Sequence, residues 1–143
     1  IPQIITQIAK GKNQIKLGAL TPTRDFNFVA DTCKAFLAVA RSKNTVGEII
    51  NSASNFEISI EKTALLISEL MNHSIEIESE EKRKRPVNSE VNRLFGSNKK
   101  IFSLTDWSLE YGGIEGFRKG LKITIDWFTN SKNLSLYKSD YVI

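Results

Sequence analysis

Arginine is the side chain best matched to a phosphate group, because its planar fork of donors meets two oxygens at once and never loses its charge. The stretch Thr23-Arg24-Asp25-Phe26-Asn27-Phe28-Val29-Ala30-Asp31 opens on such a residue. Phe26 and Phe28 alternate at the strand period, and helical spacing takes over after Asp31. The segment therefore reads as a short strand running into a helix from Thr32 to Arg41. Arg24 then stands at the strand's head, where it can reach an anionic ligand while the two phenylalanines anchor the backbone. The competing use of Arg24 is a surface ion pair with Asp25 or Asp31. Further positive charge gathers in Glu81-Lys82-Arg83-Lys84-Arg85, Asn98-Lys99-Lys100 and Arg118-Lys119. The first of these runs also reads as a solvated loop.

Other chemistries lack their parts. His73 is the sole histidine, and no glycine-flanked serine accompanies it for a nucleophilic triad, so it reads as a helix-end residue. Cys33 is the sole cysteine, which rules out an intrachain disulfide or thiolate metal site and suits a reducing cytoplasm. Glu76, Glu78, Glu80 and Glu81 form a solvated acidic stretch rather than a metal cluster. A dinucleotide cradle needs a glycine-rich turn between a strand and a helix. The nearest glycine cluster is Gly112-Gly113 with Gly116 and Gly120, but no strand leads into it.

The elements that must position Arg24 alternate between strand and helix, which makes the class α/β. Ile1, Ile4, Ile5 and Ile8 predict a helix over residues 2–10 that stops near Gly11, and Gln14 to Leu17 predicts a strand. In the helix after Asp31, Cys33, Phe36, Leu37 and Ala40 share an apolar face. The isoleucine-rich Glu48–Ser52 reads as a buried strand. Phe56, Ile58 and Ile60 alternate into a helix from Ile60 to Met71 capped by Ser59, and Ile75 and Ile77 mark one more strand. Ser97 to Leu104 is a short helix, Trp107 lies in the turn after it, and Ile114, Phe117, Leu121, Ile125 and Phe128 fall at steps of 3, 4, 4 and 3 along a final helix. Residues 1–131 are expected to form one lobe and 132–143 an appended tail.

With 143 residues, 41% hydrophobic and 25% charged, the chain has the composition of a globular domain. A net charge of +4 is mildly basic, but acidic residues are interleaved throughout. An anionic small ligand fits this pattern better than nucleic acid. No apolar run reaches the roughly 18 residues of a membrane helix, and no signal peptide is read, so neither a membrane nor a nucleic acid is an expected partner. The chain begins at Ile1 within an expected helix, as a piece of a longer protein would.

Arg24-Asp25-Phe26, followed by Val29 and Asp31, resembles a signature in the carboxyl half of extended short-chain dehydrogenases that act on nucleotide sugars. Other stretches are similar to that family in the expected order. Ile1 to Gly11 resembles the helix with an early proline, and Gln14-Ile15-Lys16-Leu17-Gly18 the strand after it. Gly47-Glu48-Ile49-Ile50-Asn51 through Glu57-Ile58-Ser59-Ile60 resembles the next strand and helix entry. Arg85-Pro86-Val87-Asn88-Ser89-Glu90-Val91 resembles the segment that closes over the nucleotide. Trp107, Glu115-Gly116-Phe117 and Thr124-Ile125-Asp126-Trp127-Phe128 resemble the terminal helix. Ser97-Asn98, where many relatives carry an aspartate ahead of the lysine, and Asn51-Ser52-Ala53-Ser54, where a glycine precedes the serine, depart from the pattern.

The resemblance implies a small mixed α/β carboxyl-terminal substrate-binding lobe that lacks its Rossmann lobe. It implies Arg24 and Arg85 on the diphosphate, Glu90 on a ribose hydroxyl and Leu17 against the base. The intact enzyme would be a cytoplasmic, NAD-dependent, homodimeric nucleotide-sugar 4,6-dehydratase acting on a nucleotide-linked N-acetylhexosamine, with a 4-epimerase as the alternative. The family's acid/base pair is a tyrosine with a lysine four residues on. Tyr111 is followed at that spacing by Glu115 and Tyr137 by Tyr141, while Tyr141 stands too near the end. Catalysis and NAD binding are thus expected to belong to the missing Rossmann lobe, with this chain binding no cofactor. A free-standing nucleotide- or polyanion-binding module is the other class of reading. The basic loop from Glu80 to Glu90 is expected to be mobile when empty and ordered over a nucleotide.

Overall fold

The computed structural model describes residues 1–83, 89 and 91–137. In chain order the elements are α1 (Pro2–Ala9), β1 (Gln14–Leu17), β2 (Thr23–Asp25), α2 (Val29–Arg41), β3 (Glu57–Ser59), α3 (Ile60–Leu70), β4 (Glu76–Ser79), β5 (Arg93–Leu94), α4 (Lys99–Leu104), α5 (Gly113–Thr129) and α6 (Ser131–Leu134). This is the small mixed α/β architecture expected. No described helix is long and apolar enough to cross a membrane. The chain divides into two compact units, the first of residues 1–22, 59–92 and 121–143, the second of residues 23–58 and 93–120.

In the first unit, α1 opens with Pro2 at its first turn, where the missing N–H costs nothing. The turn after it passes through Gly11, whose φ of +77° suits a residue without Cβ. Ile4, Ile5 and Ile8 of its inner face are buried. β1 pairs in parallel with β4, Ile15 opposite Ile77. The other edge of β1 is met by Gln7, which is 2% exposed: Lys16 N donates to Gln7 Oε1 at 3.0 Å, and Gln7 Nε2 donates to Lys16 O at 3.4 Å. One carboxamide thus supplies the donor and acceptor that a neighbouring strand would give. The Ser59 hydroxyl accepts from Lys62 N at 3.1 Å and caps α3, as the sequence predicts. Residues past 131 continue in α6, and the Tyr137 ring packs edge-on against Phe128 at 5.0 Å. Residues 138–143 of the expected tail lie outside the described residues.

In the second unit the sheet order is β3-β2-β5. The core joins Ala35 and Ala38 of α2 to Ile101 and Trp107, with Val39, Ile50 and Leu109 against them. Here the sequence reading needs four corrections. The strand stops at Asp25 and α2 begins at Val29, so Phe26 and Phe28 are not strand residues. Their rings are drawn off instead to Phe117 (5.6 Å, stacked) and Tyr111 (4.3 Å). The buried face of α2 is Asp31, Ala35 and Ala38, with the two alanines packed in the core with Ile101 and Trp107, while Cys33, Phe36, Leu37 and Ala40 are exposed. Glu48–Ser52 forms no strand: no described strand lies beside it to complete a ladder, and Ile49 is 86% exposed. Ile114 is likewise exposed, leaving Phe117, Leu121, Ile125 and Phe128 as the buried stripe of α5.

The glycines near α5 serve close packing. A Cβ at Gly116 would stand 2.2 Å from the Tyr111 carbonyl carbon, and one at Gly120 would stand 3.0 Å from the Phe28 ring. Gly116→Ala is therefore expected to destabilise the fold by about 1–3 kcal/mol, the usual cost of overpacking a rigid site. Urea unfolding of the chain measures this, and an unchanged midpoint would show that Tyr111 yields freely.

Candidate functional site

Arg24 is the middle residue of β2 and half-buried. Its Nη1 donates to Thr23 O at 2.8 Å. Both strand edges are occupied, with Thr23 opposite Arg93 and Arg24 opposite Leu94 along parallel β5. The two aspartates that follow Arg24, Asp25 and Asp31, fix the chain there. The Asp25 carboxylate accepts from Ser54 N (2.9 Å), Ser54 Oγ (2.5 Å), Asn55 N (3.1 Å) and Gly96 N (3.2 Å), which fills its lone-pair positions. Gly96 is needed there, since a Cβ would meet Ala53 Cβ at 2.4 Å. Asp31 is 0% exposed and accepts from Glu110 N at 3.2 Å and Tyr111 N at 2.8 Å, while its backbone carbonyl accepts from Trp107 Nε1 at 3.0 Å. Both carboxylates are thus committed to backbone donors, with the Ser54 hydroxyl added at Asp25, and hold the chain that follows Arg24.

Sequence reasoning missed a second arginine beside the first. Arg93 meets Glu57 through Nε (2.9 Å to Oε2) and Nη2 (2.6 Å to Oε1), and Thr23 Oγ1 donates to the same carboxylate at 2.8 Å. The Arg93 guanidinium lies 4.9 Å over the Phe95 ring. Hydrogen bonds from Arg93 and then Thr23 lower the Glu57 pKa. No sequence signal links Glu57 to a residue 36 positions away. Of the other expected site residues, Leu17 is 7% exposed in the first unit, on the buried face of β1 with Ile15. Arg85 and Glu90 lie outside the described residues, as does the greater part of the expected loop. Among the described residues, no group of three or more His, Cys, Asp or Glu could hold a metal ion.

Near the end of this mount, Glu110 joins Lys119 and Lys34, each at 2.8 Å. Hydrogen bonds from Lys119, then Lys34, pull the Glu110 carboxyl down from 4.5 to about 2, and both lysines are raised in turn. A carboxylate whose folded pKa is depressed gives stability that is present above 4.5 and lost as pH falls from there toward 2. The lysines give stability present below 10.5 and lost as pH rises through their raised values. All three groups are solvent-exposed, so salt screens the effect. A carboxyl-carbon NMR titration is expected to place the Glu110 midpoint near 2 and return it toward 4.5 in a Lys34→Ala, Lys119→Ala double variant. A midpoint unmoved by that change would break the assignment.

Of the glycines that might form a dinucleotide cradle, Gly112, Gly116 and Gly120 are closed by Leu109, Tyr111 and Phe28, while Gly113 has open space beside it.

A family model described as GDP-mannose 4,6 dehydratase matches residues 1–120. A putative UDP-glucose 4-epimerase of Methanocaldococcus jannaschii is 29% identical over 127 residues, which are 89% of this chain and 38% of that protein. Among solved structures, dTDP-glucose 4,6-dehydratase of Bacillus anthracis in complex with NAD is 25% identical with a TM-score of 0.75, over 92% of this chain and 39% of that one. UDP-glucuronic acid 4-epimerase of Bacillus cereus in complex with UDP-glucuronic acid and NAD is 21% identical with a TM-score of 0.74, over 94% and 39%. The chain spans under two-fifths of the length of these relatives.

Proposed function

Since the chain belongs to the GDP-mannose 4,6 dehydratase family, among the NAD-dependent epimerases and dehydratases of the extended short-chain dehydrogenases, we propose that it is the substrate-binding part of a nucleotide-sugar 4,6-dehydratase. A nucleotide-linked N-acetylhexosamine is the substrate we assign, and the diphosphate is the group that this part holds. The observation that carries the reading is the mounting of Arg24, on a strand paired on both edges and followed by Asp25 and Asp31, whose carboxylates tie down the chain after it. Such a mount spares the side chain most of the ordering cost of binding. In this reading Arg85 is a second diphosphate contact, Glu90 accepts from a ribose hydroxyl, and Leu17 offers the base only the small margin its burial leaves. A 4-epimerase of the same family would use the same contacts.

Hydride transfer to NAD and back belongs, in this proposal, to a Rossmann lobe outside the chain, which also supplies the tyrosine and lysine of acid/base catalysis. This part supplies orientation, since remote contacts to a diphosphate can be converted into rate at the reacting sugar. The intact enzyme is proposed to be a cytoplasmic homodimer.

Calorimetric titration of the 143-residue chain with NAD is expected to give no saturable heat. Micromolar binding would remove the basis for a separate cofactor lobe. In the intact enzyme, Arg24→Ala is expected to weaken nucleotide-sugar binding by about 1.5–3 kcal/mol, the worth of hydrogen bonds to a charged group. Arg24→Lys should recover only part of this, because a point charge loses the bidentate geometry. Wild-type affinity in the alanine variant would exclude Arg24 as a phosphate contact.

A further inference from the structure

The sheet of the second unit is small. β2 has three residues and lies between β3, also of three, and β5, of two, with Thr23 and Arg24 opposite Arg93 and Leu94. A ladder this short holds its strands weakly, so side-chain pairs across it carry much of what fixes them. One carboxylate makes those pairs here. Glu57 of β3 accepts from the Thr23 hydroxyl of β2 at 2.8 Å and from Arg93 of β5 through Nε at 2.9 Å and Nη2 at 2.6 Å, which ties all three strands together. The Phe95 ring backs the Arg93 guanidinium at 4.9 Å.

Thr23 is also where Arg24 rests, since Arg24 Nη1 donates to the Thr23 carbonyl at 2.8 Å. That carbonyl belongs to the rigid peptide plane joining the two residues, so the tilt of the plane directs the guanidinium. The plane is held at both ends. Glu57 fixes Thr23 before it, and the bond from Gly96 N to the Asp25 carboxylate at 3.2 Å fixes the residue after Arg24. Because Thr23 and Arg93 stand opposite each other, the Glu57 tie lies on one face of the sheet and the Arg24 side chain leaves from the other. Arg93 therefore acts on Arg24 through the strand and not across space.

We propose that Arg93 and Glu57 are positioning residues for Arg24, acting through Thr23 from the opposite face of the sheet. The proposal rests on the reading of Arg24 as the diphosphate contact. Without the tie, the Thr23 carbonyl turns more freely under Arg24 Nη1, and the guanidinium meets its anion at a higher ordering cost. The Arg93 side chain is 63% exposed, so the ion pair adds little to global stability. Loss of orientation is thus separable from loss of fold.

The test reads Arg24 directly, by nitrogen relaxation of its Nε–H in the ligand-free chain of 143 residues, with the signal assigned by its loss in Arg24→Ala. An ordered guanidinium is expected in the wild-type chain. Arg93→Ala and Thr23→Val should each lower that order while moving the urea midpoint little, and Arg93→Lys should restore only part of it, because an ammonium lacks the two-point fork. Lys100→Ala, which breaks the ion pair with Glu48 instead, should leave it unchanged. In the intact enzyme, Arg93→Ala should weaken binding of UDP-N-acetylglucosamine about threefold or more where Arg24 is present and add nothing in Arg24→Ala. An Arg24 side chain as ordered in Arg93→Ala as in the wild type would overturn the proposal, as would an equal loss of affinity in both backgrounds. The relaxation needs no ligand, so failure here is distinguishable from failure of the substrate assignment, which Arg24→Ala alone tests.

Discussion

The second unit depends on one buried carboxylate. Asp31 is wholly removed from solvent, and such a group is tolerated only when donors surround it. Its partners are the backbone N–H groups of Glu110 and Tyr111, about eighty residues away in sequence, and its own carbonyl takes the indole N–H of Trp107. These bonds join the start of α2 to the segment that leads into α5. They bring Tyr111 against Phe28 and set the path of the chain between Arg24 and the helix. Losing the carboxylate would leave two partly buried N–H groups unpaired, and the cost of that desolvation exceeds the net worth of the bonds when made.

The parts of the fold written plainly in the sequence are those whose burial follows a single period. The isoleucines of α1, the capped α3, the strand Gln14–Leu17 and the stripe from Phe117 to Phe128 all fold as their spacing predicts. α2 reads wrongly because its buried face is an aspartate and two alanines, while the larger apolar groups Phe36 and Leu37 face outward. Ala35 and Ala38, not the larger groups, are the residues of α2 that join Ile101 and Trp107 in the core, so side-chain size alone does not signal burial.

Glu48–Ser52 teaches the complementary point. Its isoleucines carry strand propensity, but a strand is completed by a ladder partner, and none of the described strands lies there. β5 shows the reverse, since Arg93-Leu94 has little propensity and becomes a strand because β2 offers an edge. The site follows the same division. Arg24 is legible from its own neighbourhood, whereas Arg93, bound to Glu57 and stacked on Phe95, is created by tertiary pairing alone.

That pairing bears on how Arg24 can work. Arg93 lies opposite Thr23, so the alternation of a strand turns it to the other face from Arg24, and its charge is spent on Glu57. The carboxylates nearest to Arg24 in sequence are engaged by backbone donors, which spread their negative charge over several hydrogen bonds. On the proposed reading, binding free energy gained at Arg24 is remote from the reacting carbons and raises the rate only to the extent that the sugar, tethered by its diphosphate, is delivered in the geometry that hydride transfer requires.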